Sequence, residues 1–348
     1  MEDNNTLQPA PLVEVTRGAI TESRHRGHVV AVDGDGQVVA SLGAPETVTY
    51  LRSSAKPLQA VPLVATGAAD RFKFTPQEIA VACGSHSGER LHEETVAAML
   101  DKIGLEAGAL KCGAHEPFSR EAALELRERG EQPRVLQNNC SGKHTGMLAL
   151  ALHLGGATET YDQPDNLAQL VIARTIEQFS GVPSEDIVVG VDGCGVPVFG
   201  ITVRAMALMY ARLVAPPRSF DAETRAACTR IVAAMRSHPE LVGGTRERLD
   251  TELMRAAAGV ISKVGAEGVY TVGVAPSARW PRGLGLALKI EDGEDRRARP
   301  TVVIESLRQL GVLDDATFAQ LAPYSKFVVR NHRGDAVGEV CASFELKQ

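Results

Sequence analysis

The sequence predicts an α/β protein of the α+β kind, with one antiparallel sheet built from both chain ends and a helical subdomain inserted between them. Strand patterns lie near the N terminus and again after about residue 260, whereas residues 53 to about 260 show mostly helical periodicity. Strands separated by such a run of helices pack most economically as one sheet. Residues 1–10 are predicted to be a flexible tail, and residues 11–348 a single domain.

The elements before residue 200 are predicted from turns, caps and periodicity. Residues 28–43, HVVAVDGDGQVVASLG, place apolar runs on both sides of a Gly-rich turn and predict a hairpin. TPQE at 75–78 combines a Thr cap, Pro at the first helical position and Glu at the third, and predicts a helix start. Helical periodicity that ends in glycine predicts three further helices, at 88–104, 142–156 and 165–181.

Residues 186–200, DIVVGVDGCGVPVFG, differ from their helical surroundings. They form a short β-branched run followed by a Gly-rich loop, which predicts a strand that presents Asp192 and Cys194. After residue 260 the strand patterns return. Residues 268–274 and 283–293 predict one hairpin, residues 300–311 a helix, and residues 326–346 a last hairpin.

Composition argues against several classes of function. The 348 residues are 44% hydrophobic and 23% charged, as in a soluble globular protein. An aromatic share of 4% and a net charge of −6 argue against nucleic-acid binding. The sequence has no unbroken apolar run of about 18 residues and no signal-peptide pattern, so we expect a cytoplasmic protein without membrane contact. Its six cysteines include no CxxC pair, and they predict reduced thiols.

The stretch LRSSAKPLQA, residues 51–60, contains a Ser-x-x-Lys pair. Pro57 is tolerated only near the first turn of a helix, so an irregular helix is predicted to begin close to Ser53. Side chains three residues apart share a helix face, so a neutral Lys56 could accept the Ser53 proton. A single Ser-x-x-Lys string is more often a helix cap followed by a surface lysine.

Two further stretches favour the catalytic interpretation. CGSHSGE, residues 83–89, places Ser85 in a Gly-flanked turn after an apolar run. SKVGAEG, residues 262–268, places Lys263 two residues before a glycine at the mouth of a predicted strand. Serine enzymes that react with penicillin use this ordered set: Ser-x-x-Lys, a Ser-containing turn, and Lys-x-Gly on a strand.

QNNCSGKHTG, residues 137–146, is a second candidate site. It departs from the P-loop pattern, but it places Cys140 at a helix start, where the helix dipole favours the thiolate. Together with Cys194, this thiolate could hold zinc, although two buried reduced cysteines are the commoner outcome of such spacing. His86 and His144 either position a substrate or cap loops.

Taken together, these stretches resemble the L-asparaginase II family, the class 3 or rhizobial-type enzymes, over nearly the whole chain. The motifs that carry the resemblance are VEVTRG (13–18), RSSAKPLQA (52–60), ACGSHSGE (82–89), NNCSGKHTGML (138–148), VDGCGVP (191–197), HPELVGG (238–244) and SKVGAEGV (262–269). The resemblance implies a serine-β-lactamase-like fold, a homodimer, and hydrolysis of asparagine to aspartate and ammonia.

The resemblance also implies a set of site residues. Two Ser–Lys pairs fall on Ser53 with Lys56 and on Ser85 with Lys263. A zinc ion that modulates activity without breaking the bond is implied at residues that include a lysine, a rare zinc ligand. These ligands are Cys140, Lys143 and Cys194, with Asp192 close by.

We therefore expect a cytoplasmic amidohydrolase in which Ser53 attacks the asparagine side chain and Lys56 accepts its proton. Charge complementarity alone suggests Arg52 and Asp192 for the carboxylate and ammonium groups of the substrate. Two alternatives remain from other classes. One is a penicillin-recognising serine acyl-enzyme, and the other is a non-catalytic sensor of zinc or an amino acid.

Overall fold

The structure is a computed structural model that describes residues 8–347. Most of the predicted N-terminal tail, residues 1–7, lies outside the described residues. None of the helices within residues 8–347 has the length and apolar character needed to cross a bilayer. The described chain forms two compact units, one from residues 8–54, 201–215 and 253–347, and the other from residues 55–200 and 216–252.

Residues 8–347 contain eleven strands and fifteen α-helices, besides short 3-10 helices. The strands are β1 (Ala10–Arg17), β2 (Ile20–Asp33), β3 (Val38–Leu42), β4 (Val48–Tyr50), β5 (Val188–Val191), β6 (Pro197–Thr202), β7 (Val260–Val264), β8 (Val269–Val274), β9 (Leu284–Ile290), β10 (Phe327–Arg330) and β11 (Ala336–Ala342). The helices up to residue 180 are α1 (Lys56–Gln59), α2 (Val61–Ala65), α3 (Ala68–Arg71), α4 (Pro76–Ala82), α5 (Arg90–Ile103), α6 (Arg120–Arg129), α7 (Ser141–Leu154) and α8 (Leu167–Ser180). The later helices are α9 (Val203–Val214), α10 (Ala222–Ser237), α11 (Pro239–Val242), α12 (Leu249–Ala256), α13 (Ala298–Gln309), α14 (Asp315–Gln320) and α15 (Ala322–Ser325).

The first unit contains a sheet that draws strands from both chain ends, as predicted. Its order is β10-β11-β1-β2-β9-β8-β7, and β3 also pairs with β2. The paired strands are antiparallel, and Val13 of β1 lies opposite Ala342 of β11. The three predicted hairpins are confirmed as β2–β3, β8–β9 and β10–β11. The predicted fold class, mixed α/β with one antiparallel sheet from both termini, is therefore confirmed.

Helix α9 packs on this sheet, although its sequence lies within the segment predicted as a helical subdomain. Gly285 of β9 makes the approach possible, because a Cβ at this position would overlap the carbonyl oxygen of Ala207 in α9. The main chains of helix and strand therefore nearly touch. Residues 201–215 thus belong to the sheet unit and interrupt the run of helices.

The second unit is built around α7, whose residues from Ser141 to Ala151 are all buried. Helix α4 packs closely on α7, since a Cβ on Gly142 would lie 2.5 Å from the carbonyl oxygen of Val81. The predicted capping box of α4 is confirmed: the Thr75 side chain accepts from Glu78 N–H, and the Glu78 carboxylate accepts from Thr75 N–H. This packing brings the turn that follows α4 beside the first residues of α7.

The secondary structure predicted for three more helices and for the β5–β6 segment is also confirmed. Helices α5, α7 and α8 each end at a glycine with left-handed backbone, at positions 104, 155 and 181. Strand β5 pairs with β6 in an antiparallel hairpin, with Val191 opposite Pro197. The loop of this hairpin carries Asp192 and Cys194, as predicted.

Candidate active site

The stretch with the first candidate pair forms an irregular helix, as its two prolines predict. A 3-10 helix spans Arg52–Ala55 and runs directly into α1, which ends before α2 begins at Val61. Arg52 has a φ of 50°, a left-handed backbone that is uncommon and strained for a non-glycine residue. Its guanidinium lies 3.9 Å from the carboxylate of Glu267. Strain of this kind concentrates at functional sites.

The two adjacent serines of this stretch differ in their environment. Ser53 is half-buried. Ser54 is fully buried, and its hydroxyl donates a hydrogen bond of 2.6 Å to the carbonyl of Leu51. Its own carbonyl accepts from the hydroxyl of Tyr210, which lies in α9. Ser54 therefore anchors the segment, and its proton is already engaged within the protein.

Lys56 is a buried amine that contacts the second candidate serine directly. Its Nζ donates to Ser85 Oγ at 2.8 Å and to the carbonyl of Asn139 at 3.0 Å, and its side chain is 1% exposed. Burial lowers the pKa of Lys56, against the opposing influence of the neighbouring Cys140 thiol. The amine is thus placed to exchange a proton with a serine hydroxyl.

The turn that carries Ser85 is fixed through its main chain. The Ser85 N–H donates to the carbonyl of Val242 at 2.8 Å. The Ser85 carbonyl accepts from Arg248 Nη2, also at 2.8 Å. With both backbone groups paired, this turn holds the Ser85 hydroxyl facing Lys56.

His86 has both ring nitrogens engaged within the protein. Its Nδ1 accepts from Gly88 N–H at 3.2 Å, so its Nε2–H donates to Ser141 Oγ at 2.9 Å. The ring stacks on His92 with 4.6 Å between centroids. Burial is the largest cause that holds the pKa of His86 well below its usual value. The histidine therefore ties the Ser85 turn to the start of α7.

His144 is also fully buried, but only one of its ring nitrogens has a partner. The hydroxyl of Tyr161 accepts from Lys111 N–H and lies 2.7 Å from His144 Nδ1. The Nε2 atom of His144 has no hydrogen-bond partner among the described residues. Burial is again the largest cause that lowers the pKa of His144, so the ring is neutral.

The structure brings the predicted zinc ligands together. Lys143 Nζ lies 2.9 Å from Cys194 Sγ, and the Asp192 carboxylate lies 3.8 Å from the same sulfur. A hydrogen bond between the Cys140 and Cys194 thiols lowers the pKa of Cys140 and raises that of Cys194. Burial acts to lower the pKa of Lys143, but the two thiols and Asp192 raise it.

These residues fit a zinc ion by their chemistry. The two sulfur atoms are ligands that zinc takes in tetrahedral sites, and a deprotonated lysine amine would supply a third donor. No cluster of at least three His, Cys, Asp or Glu side chains suited to a metal occurs in residues 8–347. The lysine is therefore needed to complete the set, and it must lose its proton to bind.

Lys263 lies in β7 and is fully buried, with a side chain that is 0% exposed. Its Nζ donates to the carbonyl of Val264 at 2.8 Å. Its carbonyl accepts from the hydroxyl of Thr271 on the paired strand β8. Lys263 belongs to the sheet unit with Ser53, whereas Ser85 belongs to the helical unit.

Most of the predicted site residues thus lie in the second, mainly helical unit, where they form one connected cluster. Ser85 contacts Lys56, and Lys56 lies near Cys140. The Cys140 thiol neighbours that of Cys194, which in turn contacts Lys143. Sequence reasoning missed two contributors. The Asn139 carbonyl gives no side-chain signal, because any residue could supply it. Arg248 carried no signal either, since it lies just outside the motif HPELVGG.

A family model described as L-asparaginase II matches residues 13–342, nearly the whole chain. The chain belongs to the L-asparaginase II family. This membership confirms the resemblance and makes the protein an amidohydrolase. Four of the motifs quoted above supply residues of that cluster: RSSAKPLQA, ACGSHSGE, NNCSGKHTGML and VDGCGVP.

Comparisons with other proteins add little beyond the family. No curated protein matches the chain. A probable glutaminase from Bacillus subtilis, complexed with 6-diazo-5-oxo-L-norleucine, is 14% identical with a TM-score of 0.39, over 82% of this chain and 84% of that chain. A β-lactamase from Desulfarculus baarsii is 18% identical with a TM-score of 0.36, over 86% and 90%.

Proposed function

We propose that this amidohydrolase is an L-asparaginase that hydrolyses L-asparagine to L-aspartate and ammonia through a serine acyl-enzyme. One observation carries the proposal. A buried lysine amine, Lys56, lies 2.8 Å from the Ser85 hydroxyl in a member of the L-asparaginase II family. A buried amine that can lose its proton is the base that a serine nucleophile needs.

In this proposal Ser53 Oγ attacks the side-chain carbonyl carbon of asparagine, and its proton passes to Lys56 Nζ. A neutral amine has two N–H groups and one lone pair. Ser85 Oγ and the Asn139 carbonyl accept the two N–H groups, which leaves the lone pair for the incoming proton. When the C–N bond breaks, Lys56 returns the proton to the departing ammonia. A water molecule then hydrolyses the ester by the reverse transfers.

A second assignment exchanges the roles of the two serines. The 2.8 Å contact between Lys56 Nζ and Ser85 Oγ favours Ser85 as the attacking hydroxyl. Ser53 is instead favoured by its position three residues before Lys56 on a continuous helical stretch. We propose Ser53, with Ser85 and Lys263 as a relay or as groups that polarise the carbonyl.

The substrate is proposed to be held by charge complementarity. Arg52 would pair with the substrate carboxylate, and Asp192 with its ammonium group. The Asp192 carboxylate is half-buried in the β5–β6 loop, and the Arg52 guanidinium lies 3.9 Å from the carboxylate of Glu267. His86 and His144 stay predictions as substrate contacts.

Zinc is proposed to bind Cys140, Lys143 and Cys194, with Asp192 close by. As a cation it would supply Lewis-acid charge and hold the β5–β6 loop against α7. The chain's own groups already provide a nucleophile and a base. We therefore propose that the metal shapes the pocket and is not needed to break the amide bond.

Ammonia release separates this proposal from its alternatives. Purified protein would be incubated with asparagine, glutamine and a chromogenic β-lactam, while ammonia and ring opening are measured. We expect ammonia from asparagine. Ring opening without ammonia would favour a penicillin-recognising enzyme, and binding without any turnover would favour a sensor.

A cytoplasmic homodimer is part of the proposal. The homodimer is what the resemblance to the L-asparaginase II family implies. Light scattering of the purified protein would measure the oligomeric state directly. A monomer at working concentration would contradict it.

A further inference from the structure

Arg248 is a partly buried cation outside every motif that carries the family resemblance. Its side chain is 18% exposed. One nitrogen, Nη2, donates to the Ser85 carbonyl at 2.8 Å, and the other, Nη1, donates to Ser87 Oγ and to the Gly243 carbonyl, both at 2.9 Å. A single guanidinium therefore bridges the Ser85–Ser87 turn and the end of α11.

The guanidinium also has a buried carboxylate beside it. The carboxylate of Asp250, 2% exposed, lies 3.4 Å from Nη2. The N–H donors of a planar guanidinium have a fixed geometry. Arg248 therefore fixes the positions of its three acceptors, the Ser85 carbonyl, the Ser87 hydroxyl and the Gly243 carbonyl. The acceptors on the turn are buried, and leaving such groups without donors is costly.

Ser85 is thereby fixed on both sides of its α-carbon. Its N–H is bonded to the Val242 carbonyl, and its C=O to Arg248. Only the side chain remains to be placed, and its hydroxyl faces Lys56 Nζ at 2.8 Å. The position of this hydroxyl relative to the amine therefore depends on the guanidinium.

We propose that Arg248 is a positioning residue for the hydrolytic reaction, which holds the Ser85 hydroxyl within proton-transfer distance of Lys56. The inference rests on the proposed function, because it assigns Ser85 and Lys56 to the reaction. Arg248 acts through the main chain of Ser85 and through Ser87. A displacement of about 1 Å at a reacting group can cost about 100-fold in rate.

The test compares Arg248→Met and Arg248→Lys with the control Arg246→Met. Arg246 lies two residues away, its side chain is 82% exposed, and it pairs only loosely, at 3.8 Å, with Glu121. For Arg248→Met we expect kcat for asparagine to fall about 100-fold while KM changes less than about threefold. Arg248→Lys keeps the charge but cannot bridge the same acceptors, so we expect an intermediate loss, about 10-fold. The control should keep wild-type kcat.

Amide hydrogen exchange gives a readout that does not need activity. In Arg248→Met the amides of residues 84–88 should exchange faster than in the wild type, whereas Arg246→Met should leave them unchanged. Because the Met variant removes a cation beside the buried Asp250 and could fail to fold, Arg248→Lys serves as the folded test, with thermal unfolding as its check.

The outcomes separate this inference from the proposed function. A folded Arg248→Lys or Arg248→Met with wild-type kcat would overturn it, and so would unchanged exchange at residues 84–88. A rise in KM at constant kcat would make Arg248 a substrate-binding group and would equally overturn it. If the wild-type protein releases no ammonia from any amide, the proposed function is wrong. The hydrogen-exchange experiment would still show whether Arg248 holds the Ser85–Ser87 turn.

Discussion

At the residue scale, the hydrogen bonds of a hydroxyl decide whether it is free to react. Ser54 donates its proton to the Leu51 carbonyl at 2.6 Å, and it is fully buried. Its neighbour Ser53 is half-buried on the same 3-10 helix. Of these two adjacent serines, Ser54 therefore anchors the segment, and Ser53 is the one that we propose as the nucleophile.

Exchanging each serine for alanine tests this division. We expect Ser53→Ala to lose nearly all asparagine hydrolysis, because a nucleophile and its base act as one unit. Ser54→Ala should keep kcat within about threefold and lower the free energy of unfolding by about 1 kcal/mol, the net worth of one hydrogen bond. Steady-state kinetics and urea unfolding of both variants provide the measurements. An inactive Ser54→Ala beside an active Ser53→Ala would reverse the assignment.

The thiol cluster leads to a prediction about metal content. We expect about one zinc per chain in protein purified without chelator, and loss of that zinc in Cys140→Ala and Cys194→Ala, because each removes one of two sulfur ligands. Affinity for zinc should rise with pH, since the thiols and Lys143 must lose protons to bind.

Elemental analysis of the wild type and the two variants checks the metal prediction, with Cys228→Ala as the matched control. Cys228 is a buried thiol in α10 that has no role in the proposed site. The control should keep its zinc. Zinc retained in both Cys140→Ala and Cys194→Ala would place the metal elsewhere.

At the element scale, the position of the cluster depends on how closely α4 and α7 pack. Helix α4 leads into the Ser85 turn, while α7 begins at Ser141 and carries Lys143. The two helices approach until a Cβ on Gly142 would lie 2.5 Å from a main-chain oxygen. Main-chain atoms cannot rotate away as side chains do, so this contact sets the distance between the two halves of the cluster.

Adding one methyl group at Gly142 should disturb this arrangement. We expect Gly142→Ala to destabilise the protein by about 1–3 kcal/mol, typical of an overpacked core, and to lower kcat as the helices separate. Gly146→Ala is the control on the same helix. Its Cβ would meet side-chain atoms no closer than 3.2 Å, and alanine favours the helix by about 1 kcal/mol. Equal unfolding free energies for the two variants would show that the close contact is not decisive.

At the scale of the whole molecule, closure of the sheet links the two ends of the chain. Strand β1 lies between β2 and β11, so the last strands complete a sheet that the first strands begin. Contacts so far apart in sequence cost loop-closure entropy before they stabilise the fold. The sheet is therefore expected to form late, after the local contacts of the helices.

Buried neutral histidines make the stability of the whole protein depend on pH. Burial lowers the pKa of both His86 and His92 below the usual value of 6.5. Below that pH the unfolded chain binds protons at these rings while the fold keeps them neutral. Stability is therefore retained above about pH 6.5 and falls at lower pH, by on the order of 1 kcal/mol per pH unit for each histidine.

Urea unfolding at several pH values between about 7.5 and about 5.5 measures this dependence. His92→Gln should reduce the slope of stability against pH, whereas the exposed His332→Gln should leave it unchanged. A slope equal in the wild type and in His92→Gln would show that other groups control the loss at acid pH.

Much of this fold is predictable because its signals are local. Thr75 caps α4 through bonds to Glu78 within three residues, and a left-handed glycine at position 104 ends α5 where its sequence predicts. Turn, cap and period depend on neighbours in the chain, so they can be recognised without knowledge of the fold. The antiparallel sheet followed from the same signals, because most strand patterns occur toward the two ends of the chain.

The sequence by itself thus determined the elements, the sheet from both termini and the residue types of the site. The contacts that give those residues their tasks were decided only by the tertiary structure. Lys56 meets Ser85 across 29 positions, and Arg248 meets the Ser85 carbonyl across 163. No local pattern encodes such a distance. It follows from the close packing of the folded unit that contains all three residues.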